Sequence, residues 1–267
     1  MTNMERAPFE ELGTTDPIVA VTDVGVTYRS RFGAGNPVMA LRGVSFQVNR
    51  GQTLGIVGES GSGKTTIGRV ILGLVKPTSG SATIGGVASE SLRRTHGMAG
   101  RVQMVPQNPD WSLNPSLKIW QSVIEPLRIV RRDPRSTRRL LVDEMLTRVG
   151  LNPELANRRP HELSGGQRQR VAIARAIITK PDVIVFDEAV TALDASVQTQ
   201  ILNLIKELQV ERKFGALFIS HNLAAVRYVS TDVAVFRAGS IVECASVQRF
   251  YNSPEHPYSR SLLNSLD

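Results

Sequence analysis

An α/β fold is what this sequence predicts, and three observations carry the prediction. An apolar strand at residues 53–57 runs through a glycine-rich turn into a helical stretch at 64–74. A second strand, 183–186, is wholly apolar and ends in Asp187-Glu188. Two further strands, 101–105 and 216–219, end in Pro106-Gln107 and Ser220-His221. Strands that are apolar throughout are covered on both faces, as in the sheets of α/β proteins. In such sheets ligands bind beyond the carboxyl ends of the strands, so the polar tips mark the edge where chemistry belongs.

The turn Gly58-Glu59-Ser60-Gly61-Ser62-Gly63-Lys64-Thr65 fits the pattern GxxxxGK[ST], in the strand, loop, helix setting that a phosphate loop requires. Its glycines let successive backbone N–H groups converge on an anion, and the start of a helix adds about half a positive charge at the same point. Lys64 supplies a cation for the β- and γ-phosphates, and Thr65 a hydroxyl for Mg²⁺. With Thr66, residues 58–66 form the expected cradle of a nucleoside triphosphate.

The carboxylates that follow strand 183–186 suit the other half of that chemistry. Asp187 is placed to orient Mg²⁺ through its water shell, and Glu188 to take a proton from a water attacking the γ-phosphate. Gln107 would orient that water or touch Mg²⁺. His221 sits where a γ-phosphate contact is useful, although a lone histidine is as readily structural.

The run Leu163-Ser164-Gly165-Gly166-Gln167 precedes a helix-forming stretch at 168–176. Ser164 reads as its N-cap, and the two glycines leave bare amides at a helix N-terminus, which suits an anion. Taken alone, the same residues are an ordinary helix cap.

Composition bounds the rest. A chain of 267 residues, 41% hydrophobic, can bury a large core. No apolar run approaches the roughly 20 residues of a membrane-spanning helix, and the first ten residues lack the basic start and apolar stretch of a secretory signal, which implies the cytoplasm. One cysteine, Cys244, excludes an internal disulfide framework and an all-cysteine metal cluster made by this chain alone; it reads as a packed strand residue. The net charge of +8 invites a nucleic-acid reading. The densest basic patch, Arg128, Arg131, Arg132, Arg135, Arg138 and Arg139, has no interleaved aromatics to stack bases, so a solvated face, or an anionic membrane or partner surface, is the better reading and nucleic acid is not expected.

Together, residues 58–65, Gln107, residues 163–167, Asp187-Glu188, Ala192-Leu193-Asp194 and His221 occur in the order and approximate spacing of the ABC-type ATPases, which the chain resembles over nearly its whole length. The resemblance implies a P-loop NTPase fold with a mixed core sheet, an antiparallel β subdomain and an inserted helical subdomain. It places the nucleotide-binding core with its β subdomain at 18–107 and 161–245, the helical subdomain at 108–160 and a C-terminal extension at 246–267, all in one domain. It also implies ATP and Mg²⁺ as cofactors, with Thr65, Gln107 and Asp187 at the metal, and a nucleotide-sandwich dimer. There Ser164, Gly165, Gly166 and Gln167 of one subunit close over the ATP held by residues 58–66 of the other. Glu188 resembles the general base, His221 the γ-phosphate sensor that positions it, and Gln107 the reporter to a membrane partner. Asp194 belongs to the loop crossing the dimer interface, and Tyr28 is similar to the aromatic that stacks on adenine.

Finer similarity is to the peptide and nickel importer branch. It rests on residues 107–115, on Ala189-Val190 directly after the glutamate, and on Asn252-Ser253-Pro254-Glu255-His256-Pro257-Tyr258. A short tail with one cysteine resembles the type that lacks an iron–sulfur cluster. Asn108 and Ser116 depart from the branch pattern. The implied partners are a second ATPase subunit, identical or paralogous, transmembrane permease subunits and, indirectly, a solute-binding protein, with the chain peripheral on the cytoplasmic face of the membrane. A non-transport ABC ATPase acting on nucleic acid or ribosomes is the first alternative, supported only by the charge. A phosphate-loop kinase or binding-only regulator is the second, and it would have no use for residues 163–167. The loop at 29–39 has no assigned chemistry.

Overall fold

The computed structural model describes residues 17–28, 36–92, 98–130, 134–191 and 193–264. Most of the 29–39 loop, together with Arg131, Arg132 and Ala192, therefore lies outside the described residues.

The chain opens with β1 (Val19–Tyr28) and β2 (Val38–Val48), antiparallel partners in which Val19, Val21, Val24, Val26, Leu41, Val44, Phe46 and Val48 are all buried. β3 (Thr53–Val57) is buried at every position and leads through the glycine-rich turn into α1 (Lys64–Ile71). The sequence pattern extends this helix to residue 74. It stops earlier because the N–H groups of Leu74 and Val75 both fold back onto the Arg69 carbonyl, around Gly73 at φ 65°. β4 (Ser79–Ile84) and β5 (Val87–Ala88) complete a four-stranded antiparallel sheet in the order β2-β1-β4-β5.

After β6 (Val102–Val105) come α2 (Ile119–Val130), α3 (Arg135–Arg148) and α4 (Gly165–Ile177). These helices bury Val123, Leu127, Val142, Leu146 and Val171 in a core shared with the sheet residues Ile184, Phe186 and Phe218. The remaining elements are β7 (Val183–Asp187), α5 (Ala195–Arg212), β8 (Gly215–Ile219), α6 (Leu223–Val229), β9 (Asp232–Arg237), β10 (Ser240–Ser246), α7 (Val247–Asn252) and α8 (Pro257–Asn264). Cys244 lies in β10 as a strand residue, but its side is exposed rather than packed: β10 is the edge strand of its sheet, and the alternation that buries Glu243 turns Cys244 outward.

The second sheet has six strands in the order β10-β9-β3-β8-β7-β6. It is mixed, with β10 antiparallel to β9 and the other neighbours parallel. Its register positions the chemistry. Ile56 pairs with Ile219, Ile219 lies level with Asp187, and Phe186 pairs with Val105. Because these strands run the same way, the residues that follow them, from Gly58, Ser220-His221, Glu188 and Pro106-Gln107, all leave the sheet at one edge.

Candidate active site

At that edge lies a cavity of about 390 Å³ lined by Ala40, Gly58, Ser60, Gly61, Gly63, Lys64, Thr65, Thr66, Glu188 and His221. The turn between β3 and α1 forms its floor. Gly58 is at φ 144°, and a Cβ there would stand 2.1 Å from the Phe236 carbonyl oxygen, so only glycine lets the loop leave β3 against β9. Gly63 is the N-cap of α1 and provides no side-chain cap. The first intrahelical bond runs from Ile67 N–H to the Gly63 carbonyl, so the amides of Lys64, Thr65 and Thr66 are the spare donors of the first turn. Spare donors at the positive end of a helix, on the wall of a cavity, form an anion site.

Lys64 is only 8% exposed. Its Nζ donates to the carbonyls of Gly58 at 2.8 Å and Glu59 at 2.7 Å, so the loop curls around its own cation. Burial lowers the pKa of this ammonium, while the charges of Glu188, Asp187 and Glu59 work to raise it. Asp187 shows the reciprocal effect. Burial and the neighbouring Glu188 charge push its carboxyl up from the usual range, and Arg69 and Lys64 only partly offset them.

Glu188 is turned toward the cavity by an uncommon backbone conformation, φ 51°, which its N–H stabilises by donating to the Ile219 carbonyl at 2.8 Å. Its Oε1 lies 3.3 Å from Nδ1 of His221. Gln107 is exposed and does not line the cavity; its Nε2 donates to Thr191 Oγ1 at 3.4 Å, and Thr191 Oγ1 donates to the Glu188 carbonyl at 2.9 Å. A chain of polar contacts thus links the end of β6 to the backbone of Glu188.

The sequence profile of the ABC transporter family matches residues 41–191. The chain belongs to the ABC transporter family. It is 47% identical to the di/tripeptide transport ATP-binding protein DppF of Pseudomonas aeruginosa, over 85% of this chain and 71% of that protein. It is 44% identical to the oligopeptide transport ATP-binding protein AppF of Bacillus subtilis, over 86% of this chain and 70% of that protein. Among solved structures, a dimeric post-hydrolysis state of the ATP-binding cassette MJ0796 with ADP and phosphate superposes with a TM-score of 0.76 at 29% identity, covering 86% of this chain and 98% of that one. The protein cbiO1 of Clostridium perfringens, part of the ABC transporter complex cbiONQ, gives the same TM-score at 26% identity, over 90% of this chain and 92% of that one. As an ABC transporter ATP-binding subunit, the chain binds and hydrolyses ATP. Transport names among these relatives leave the nucleic-acid or ribosome alternative unfavoured.

Within the ABC subunit, Lys64, Thr65, Thr66, Glu188 and His221 come together at the cavity, along with Gly58, Ser60, Gly61 and Gly63. Glu59 and Ser62 belong to the same loop without lining it, and Asp187 stands behind Glu188 at the end of β7. Tyr28 closes β1, 41% exposed and outside the cavity lining. Ser164, Gly165, Gly166 and Gln167 form the start of α4 and line none of it either. Ser164 Oγ accepts the Gln167 N–H at 3.3 Å, while Gln167 Oε1 accepts the Ser164 N–H at 2.9 Å, a reciprocal cap that leaves the Gly165 and Gly166 amides as the uncapped donors of the first turn. Asp194 is exposed at the N-cap of α5 without capping it. Sequence reasoning missed Ala40 on the cavity wall and Thr191 between Gln107 and Glu188, since small and hydroxyl side chains carry no motif of their own.

Proposed function

We propose that this ATPase powers a membrane importer of peptides or a related small solute, working as a nucleotide-sandwich dimer peripheral to the cytoplasmic face of the membrane. The proposed partners are a second ATPase subunit, identical or paralogous, transmembrane permease subunits and, indirectly, a solute-binding protein. The observation that carries the dimer is that the Gly165 and Gly166 amides stay open at the start of α4, yet residues 164–167 line no part of the chain's own phosphate cavity. Such a site is complete only when another subunit supplies it. The peptide assignment rests on the relatives that transport di-, tri- and oligopeptides. In this reading residues 18–107 and 161–245 are the nucleotide-binding core, 108–160 the helical docking region and 246–267 an extension.

In this reading the labour divides among named residues. The Lys64, Thr65 and Thr66 amides and the Lys64 ammonium hold the phosphates, Tyr28 packs on the adenine, and Glu188 accepts the proton of the attacking water. His221 keeps the Glu188 carboxylate aimed, and residues 164–167 at the start of the partner's α4, the signature helix, close over the γ-phosphate. Thr65 and Asp187, with Gln107, would hold Mg²⁺, and their chemistry fits it. Asp187 and Glu188 are adjacent carboxylates whose mutual repulsion, with burial, raises the Asp187 carboxyl, and a divalent cation relieves that repulsion. Bound there, Mg²⁺ would neutralise charge on the phosphates. Purifying the tagged chain from detergent-solubilised membranes tests the transport assignment: integral membrane proteins should co-purify, whereas co-purification with ribosomes or DNA would sink it.

A further inference from the structure

The C-terminal extension reaches back to the phosphate loop. Glu243, buried in β10, accepts the N–H of Glu255 at 3.0 Å and of His256 at 2.9 Å. Burial would raise this carboxyl, but it is outweighed, with the two donated amides among the causes, and the pKa is held below its usual value, so the turn closes on a charged acceptor. Nδ1 of His256 then accepts the Tyr258 N–H at 3.1 Å, starting α8. The segment thereby delivers Tyr258, 8% exposed, beneath the Arg237 guanidinium, which lies 4.8 Å from its ring centre. Its hydroxyl oxygen accepts the backbone N–H of Glu59 at 3.1 Å.

That N–H belongs to the same peptide unit as the Gly58 carbonyl, which accepts from Lys64 Nζ at 2.8 Å. One peptide plane therefore joins Tyr258 on one side to the phosphate-binding lysine on the other. Rotation of this plane would withdraw the carbonyl from Lys64, and Gly58, having no Cβ, offers little resistance to rotation. The acceptor on Tyr258 opposes it.

We propose that Tyr258 is a positioning residue for ATP, its hydroxyl fixing the Gly58–Glu59 peptide so that Lys64 is held ready for the phosphates, with Glu243 locking the segment that carries it. The proposal rests on the ATP-site reading above. It gives the His-Pro-Tyr stretch a role in nucleotide binding distinct from any contact with the membrane partner. An unpinned peptide leaves only a fraction of molecules binding-competent, and apparent affinity falls by that fraction.

The test compares the full chain with Tyr258→Phe, which keeps the ring and removes the acceptor, and with Glu243→Gln, which loosens the segment away from the nucleotide. Binding of a fluorescent ATP analogue with Mg²⁺ should weaken roughly three- to tenfold in both variants, the scale of one hydrogen bond. The double variant should be no weaker than the worse single one, because both break one device. KM for ATP should rise while kcat stays within about twofold, and amide exchange at Glu59 should accelerate in Tyr258→Phe without a matching change elsewhere in β3. If the parent binds the analogue and both folded variants bind it equally well, the positioning role is wrong while the ATP site stands. If the parent binds no nucleotide, both readings fall.

Discussion

His221 and Glu188 face each other across the ends of adjacent strands, Nδ1 of the imidazole 3.3 Å from Oε1 of the carboxylate. The histidine side chain is 64% exposed and the glutamate 24%, so the pair lies at the mouth of the phosphate cavity rather than within the core. A contact in that position restrains the carboxylate without contributing much to stability. Replacing His221 with Ala should therefore lower kcat about 100-fold while leaving the thermal midpoint and the affinity for ATP nearly unchanged. Steady-state ATPase rates beside melting curves check this, and an unaltered kcat would remove His221 from the mechanism.

Lys64 is engaged by two loop carbonyls and opens on the same cavity as Thr65 and Thr66. Lys64→Met keeps much of the apolar stem and deletes the cation. Affinity for ATP should fall about 10- to 100-fold, the worth of hydrogen bonds to a charged group. Equilibrium titration with a fluorescent ATP analogue measures it.

Gly165 and Gly166 are unequal probes of the signature helix. A Cβ on Gly166 would stand 2.7 Å from Val197 Cγ1, so a substitution there disturbs α5 as well as the anion site. At Gly165 the nearest atom is Leu193 Cδ2 at 3.9 Å, leaving room for a side chain. Gly165→Asp should abolish hydrolysis by placing a carboxylate against the partner's γ-phosphate, yet bind ATP like the parent. Mixing it with a Lys64→Met chain adds a sharper check: one of the composite sites then carries an intact loop facing an intact signature, and partial activity should return if the two chains pair.

Asp187 costs the folded protein stability at neutral pH. Burial and Glu188 raise its carboxyl above the unfolded value, so the folded chain favours the protonated form. Relative stability is full below the unfolded pKa and is lost as pH rises through the raised one. Asp187→Asn should thus melt at a higher temperature than the parent at pH 7 while losing activity. The advantage should vanish in acid, and a lower melting point at pH 7 would contradict the electrostatic account.

The candidate catalytic edge was legible in the sequence because its motifs follow strand ends: β3, β6, β7 and β8 lead into Gly58, Pro106-Gln107, Glu188 and Ser220-His221, and parallel register aligns them. The cap of α4 was equally readable, since Ser164 and Gln167 bond each other's backbone locally. Relations between distant segments were not. Nothing in Asn252 to Tyr258 announces that its tyrosine meets Glu59, because that contact spans 199 residues and depends on β10 carrying Glu243 to the turn. Cys244 was misread for a similar reason, as strand pattern alone does not say that β10 is a sheet edge.

If one chain holds ATP while another completes its site, with Glu188 as the base, Glu188→Gln reports on both at once, because it keeps the shape of the side chain and removes its basicity. With ATP and Mg²⁺, light scattering coupled to size exclusion should show a dimer retaining unhydrolysed ATP, with turnover at least about 100-fold below the parent. A monomer that hydrolyses ATP at the parent rate would contradict both the dimer and the base.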